Sequence, residues 1–422
     1  MANYFTRANY VRDYCGNKGA GVKIGMIESG VPDISDSYLT QATITKRSGS
    51  TNVLPHATRV ARVLVGTNSS AADDGFAPNA HLYCCTATDP ASFYDGIEWL
   101  VDSGVNVINC SFSFDMYILG GTYDIASKWV DHLAVMHDVH FVVSAGNNPP
   151  NISSPGMAYN AMTVGAFSPG TATSWSNISA FSVASYSAYD ETGSNRAEKP
   201  NLIANGDSFW GAAYTGTSFS APQVTGIIAQ LCSYQPTLKY KQTAIGAILM
   251  AATAHKINAN GTGNVGDIFD SLFQVGGEPQ ISDNEGSGIL DALWARDIVS
   301  SGKYWSATVY DAGFPYNQTV SITANENTVI RVCIFWLRQN SVSKPHKENV
   351  ATVATMSNLD LYVLTPNGSI ADASTLTEGN FEIVQFVPHM SGTYTIQIRD
   401  IGNYHTGKDY IGIALWTGTS GQ

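Results

Sequence analysis

The chain has 422 residues, 44% hydrophobic and 13% charged, a folded composition with room for two or three domains at about 100–200 residues each. A formal net charge of −12 with no Lys/Arg cluster argues against nucleic acid or an anionic membrane surface as partner. No stretch reaches the ~18–20 apolar residues of a membrane span, and "MANYFTRANY" lacks the apolar core of a secretory signal. The six cysteines form no CxxC pair, and several lie in apolar runs, so they are expected as free buried thiols.

In chain order, "KIGMIESG" (Lys23 to Gly30) reads as a buried strand that ends on a carboxylate, Glu28. "LPHATRVARVLVG" starts a helix at Pro55, with Val60, Val63 and Leu64 on its apolar face and His56 in the first turn. Phe93, Ile97, Leu100 and Val101 predict a second helix, "GVNVINCSF" a strand, Ile125, Trp129, Leu133 and Met136 a third helix, and "HFVVSAGN" a further strand ending near Asn147. Strands alternating with helices imply an α/β fold with a parallel sheet covered on both faces, and chemistry just past the carboxyl ends of its strands. His132, His137 and His140 match no HExxH spacing and are expected at a solvated helix end.

After residue 300 the pattern changes to strands bounded by turns, including "TVIRVCIFW", "LDLYVLTPNG", "GTYTIQIRD" and "YIGIALW". In the third, Tyr394, Ile396 and Ile398 share one face. An antiparallel, jelly-roll-like β-sandwich over 300–422 is expected, after the α/β domain over 1–299. Asp360, in "NLDLYVLTPNG", could ligate calcium or cap a turn at a strand end; no DxDxDG loop supports the first.

The most specific motif is "GTSFSAPQVTGIIAQL". Gly216 and Thr217 lead directly into Ser218 and an apolar helix, so Ser218 stands where unpaired N–H groups and the positive dipole end favour an oxyanion. Ser218 or Ser220 as a simple helix cap is the alternative. His56 is the best-placed base among nine histidines.

Glu28, His56 and Ser218, in that order, with Asn147 in "SAGNN", resemble the subtilisin-like (S8) serine proteases over about residues 5–298. The resemblance implies a three-layer catalytic fold, Ser218 as nucleophile, His56 as general base, Glu28 as its carboxylate partner, and an oxyanion hole from Asn147 and the Ser218 amide. "CSFS" would be an edge strand pairing with substrate, Ser111, Phe112 and Ser113 lining the cleft, and Ser153, Ser154 and Pro155 would form a small polar pocket floor. The chain departs from the family at Glu28, where aspartate is usual, at Ala57 and Ser113, where glycine is usual, and at Asn205, where proline is usual.

These features imply a serine endopeptidase acting on protein or peptide substrates, with no cofactor for the chemistry and an unlocated structural calcium allowed. The alternatives are a catalytically silent binding or scaffolding protein on the same fold, and a glycan- or protein-binding role for the sandwich. The low charge content and the resemblance favour an extracellular enzyme whose leader lies outside this chain, while the free cysteines favour the cytoplasm. Oligomeric state is not encoded in any visible pattern.

Overall fold

A computed structural model describes residues 5–67, 74–113, 122–190, 198–207, 214–254, 284–310, 317–326, 328–338, 357–376, 379–401 and 408–419. Residues 23–290 build a ten-stranded, mostly parallel sheet from β1 (Lys23–Glu28), β2 (Thr43–Lys46), β3 (His81–Thr86), β4 (Val107–Cys110), β5 (His140–Ser144), β6 (Ala161–Ser168), β7 (Ser182–Val183), β8 (Leu202–Asn205), β9 (Thr253–Ala254) and β10 (Ile289–Leu290). Their order is β2-β3-β1-β4-β5-β6-β8-β10-β9, with β7 paired antiparallel to β6 and β9 antiparallel to β10. Strand β1 lies between β3 and β4, so the chain leaves it towards opposite sides of the sheet. That reversal opens a crevice beyond the carboxyl end of β1, where Glu28 is the last residue.

The helices are α1 (Pro55–Val65), α2 (Pro90–Asp102), α3 (Ile125–His137), α4 (Thr217–Tyr234), α5 (Gln242–Ala251) and α6 (Ala292–Ser300). Strand side chains alternate between faces. Ile24 and Met26 of β1 join a core with Val60 and Leu64 of α1, Val224 and Ile228 of α4 and Ile248 of α5. Ile27 points the other way, into a core with Phe93 and Ile97 of α2 and Trp129 and Leu133 of α3. Burial on both faces is why these strands read as continuous apolar runs.

Two further four-stranded antiparallel sheets follow. One, in the order β11-β18-β13-β16, contains β11 (Tyr304–Tyr310), β13 (Thr328–Trp336), β16 (Phe381–Phe386) and β18 (Lys408–Thr419); the other, β12-β17-β14-β15, contains β12 (Asn317–Ala324), β14 (Leu359–Leu364), β15 (Ile370–Ser374) and β17 (Gly392–Asp400). They enclose a sandwich core in which Ile330, Val332 and Ile334 meet Leu361, Tyr394 and Ile396. The opposite face of β13 is also buried: Cys333 and Phe335 join the core that holds α4, α5 and α6. A Cβ on Gly246 of α5 would lie 2.5 Å from the Phe335 ring, so a glycine is what lets the helix and sheet approach this closely. Buried Arg331 donates from Nη1 to the Thr253 backbone carbonyl and to Thr253 Oγ1 (2.7 Å), joining β13 to the edge of the large sheet.

Several expectations are corrected. Strand β4 is central, between β1 and β5, and Ser111–Ser113 follow its end, so "CSFS" is no edge strand. In α3 the buried face runs through Ala126, Trp129, Val130, Leu133 and Ala134, while Ile125 and Met136 are exposed. Of the three clustered histidines only His137 is solvated: His132 is buried on α3, and His140 opens β5 with Nε2 2.9 Å from the Leu238 carbonyl. Asp360 caps no turn. It is buried, second in β14, and accepts from the Tyr362 hydroxyl at 3.1 Å.

Candidate active site

Glu28 ends β1 almost completely buried, at 1% exposure. The chain enters α1 through extended Leu54 and Pro55, whose missing N–H costs nothing in a first turn. His56 follows, and its Nδ1 lies 3.0 Å from Glu28 Oε2. A neutral imidazole donating there keeps Nε2 as an acceptor. The other carboxylate oxygen, Oε1, is buried with no hydrogen-bond partner. Burial raises the Glu28 carboxyl above its ordinary range, against the lowering effects of His56 and the Ser29 amide. Burial also opposes the His56 imidazolium, but the hydrogen bond and charge of Glu28 outweigh it, so His56 is raised in spite of the nearby Arg59 cation.

Ser218 lies in the first turn of α4, half-buried, where its amide has no carbonyl one turn back to bond. The helix is entered through Gly216 at φ 141°, which favours glycine, and no side chain caps it. Neither serine acts as a cap: Ser218 Oγ donates to the Ser111 carbonyl (3.1 Å) and Ser220 Oγ to the Ala204 carbonyl (3.2 Å).

Asn147 lies three residues beyond β5 and is exposed. Its Oδ1 accepts from both the Thr217 amide (3.0 Å) and the Thr217 hydroxyl (3.2 Å), while the Gly146 amide donates to that same hydroxyl oxygen (3.1 Å). With Oδ1 engaged, the exposed Asn147 side chain has its two amide N–H groups as remaining donors. In the sequence Thr217 stands out only as part of the lead-in to Ser218. Its role depends on a contact between residues 70 apart.

Ser111 is buried, its Oγ accepting from Asn109 Nδ2 at 2.8 Å. Phe112 is half-buried against Phe93, with ring centres 5.6 Å apart, and Ser113 is exposed. Ser153 and Ser154 are buried beside Gly146 and Gly156. At Asn205, the side chain accepts from the Asp207 amide at 3.1 Å and closes a turn. Tyr186, also unflagged by sequence, accepts from the Gly216 amide (3.2 Å) and donates to Asp207 (2.6 Å), which ties that turn to the start of α4. Among the described residues no group of three His, Cys, Asp or Glu gathers to hold a metal, so no calcium site is assigned. Cys15 is an exposed free thiol; the other five are free and buried.

The subtilase family model matches residues 19–288. Subtilisin E of Bacillus subtilis (strain 168) is 29% identical over 236 residues, which is 53% of this chain and 58% of that protein. Subtilisin of Bacillus pumilus is 28% identical, over 53% of this chain and 80% of that protein. The chain thus spans little more than half of Subtilisin E. Among solved structures, the prenylagaramide maturation protease PagA has a TM-score of 0.51 at 19% identity, over 68% of this chain and 98% of that one, a likeness of fold. With a sheet reversed about β1, a carboxylate at that strand end, and a family match over more than half its length, the chain belongs to the subtilase family.

Proposed function

We propose that this protein is a serine endopeptidase working through a Ser218-His56-Glu28 triad. The observation that carries the reading is the 3.0 Å contact between His56 Nδ1 and the buried Glu28 carboxylate. It supports a tautomer with Nε2 ready to take the Ser218 proton. Substrate binding turns the Ser218 hydroxyl from the Ser111 carbonyl to His56 as its oxygen attacks the peptide carbonyl. His56 then passes the proton to the leaving amine, and water repeats the sequence on the acyl-enzyme. The Asn147 NH₂ and the Ser218 amide hold the oxyanion. Ser111–Ser113, which leave the end of β4 beside Ser218, line the cleft.

In this reading residues 1–299 are the peptidase domain and 300–422 the sandwich, and the enzyme acts outside the cell. A silent binding protein is favoured by one observation: the Ser218 hydroxyl bonds the Ser111 carbonyl. Fluorophosphonate labelling decides between the two. An adduct on Ser218, absent in Ser218→Ala and much reduced in Glu28→Ala, supports the triad. A folded wild-type protein that takes no label refutes it.

A further inference from the structure

Arg59 is one turn beyond His56 in α1, and residues three apart share a helix face. Its guanidinium lies 3.8 Å from the centre of the Tyr214 ring, in the segment leading to Ser218. Phe219 links this pair to the base, with ring centres 5.7 Å from His56 and 6.2 Å from Tyr214. Arg59, Tyr214, Phe219 and His56 thus form one wall of the crevice. Ser111–Ser113 reach it from a different element, the end of β4.

The nearby acids are engaged elsewhere. Glu28 holds His56, Asp36 holds Arg62, Asp33 holds Ser35, and Asp207 holds Tyr186. Among the described residues no carboxylate pairs with Arg59, which is half-buried. A guanidinium over an aromatic ring is held in place by the ring face, while its N–H donors can still meet a carboxylate. In a chain of net charge −12 it is a local cation beside the base.

In the proposed mechanism His56 delivers its proton to the leaving amine, so the wall that continues from His56 through Phe219 to Tyr214 and Arg59 flanks the leaving side. We propose that Arg59, braced on Tyr214, selects substrates with Asp or Glu just after the scissile bond. This rests on the endopeptidase reading.

The test uses internally quenched peptides identical on the acyl side, with Glu, Gln or Lys as the first residue after the cleaved bond, and product masses to confirm the bond. The readout is the Glu:Lys ratio of kcat/KM within each variant, which is independent of total activity. A surface ion pair changes affinity by about 1.4–5-fold, and replacing attraction with repulsion doubles the effect in logarithm, so wild type should give a ratio of about 2–25 at low salt. Arg59→Glu should invert it, and added salt should shrink it. A wild-type ratio near one overturns the proposal, as does Arg59→Glu lowering all three peptides equally, which would leave Arg59 only a brace for Tyr214. Fluorophosphonate presents no leaving-side residue, so wild-type protein that labels but shows no preference refutes this proposal alone. Absence of both labelling and cleavage refutes the endopeptidase reading and this proposal with it.

Discussion

Glu28→Gln should separate catalysis from stability. The amide keeps the length that places Oε2 3.0 Å from His56 Nδ1 but removes the charge. Loss of the acid partner of the base costs roughly 10²–10⁴ in kcat, or about 2.7–5.4 kcal/mol of transition-state stabilisation. The acid limb of the kcat/KM profile should move as well, because activity requires neutral His56. In the wild type, Glu28 holds the His56 pKa above its ordinary 6.5, and without that charge burial dominates, so the limb should shift below 6.5. Stability should change the other way. A carboxyl raised above its ordinary 4.5 contributes stability in full below pH 4.5, and that contribution is lost as pH rises through the raised folded value. At pH 8 the fold therefore carries a buried carboxylate with an unpartnered oxygen, and glutamine should raise stability by about 1 kcal/mol or more in urea unfolding. Kinetics within three-fold of wild type, or an unmoved acid limb, would refute the assignment of Glu28.

Glu28→Asp shortens the side chain by one bond, and a displacement of ~1 Å costs about 100-fold, so kcat should fall about 10–100-fold unless the backbone moves. For Asn147→Ala, a loss of ~10²–10³ in kcat with little change in KM is expected, the magnitude typical of removing one oxyanion-hole donor. Thr217→Val should cost less, about two- to ten-fold, because it removes the hydroxyl donor to Asn147 Oδ1 and keeps the amide donor; equal effects of the two variants would count against Thr217 as a positioning residue. Phe335→Ala, in the core shared by β13 and α5, should cost about 3–5 kcal/mol, and an unchanged urea midpoint would count against that shared core. His140 is buried with its pKa lowered to about 4 from 6.5. Its stabilising contribution, present above pH 6.5 and lost as pH falls towards 4, is on the order of 3 kcal/mol, and a His140→Gln variant should show a flatter stability profile over that window.

Local pattern carried much of the architecture. The run "KIGMIE" is apolar because β1 is buried on both faces, and a strand that ends on Glu28 at such a place already points to a carboxylate in a crevice. The helix after Ser218 and the alternation of Tyr394, Ile396 and Ile398 were legible for the same reason: periodicity reports which side of an element meets water. It does not report which element lies opposite. Only the fold made β4 a central strand, set Thr217 against Asn147, brought Arg59 onto Tyr214 and laid the second face of β13 against α5. His140 was misplaced because a buried and a solvated histidine are the same letter, distinguished here by a Leu238 carbonyl 98 residues away. The candidate nucleophile, base and acid were marked by their own neighbours in the chain, whereas the groups that orient them depend on contacts that folding alone brings together.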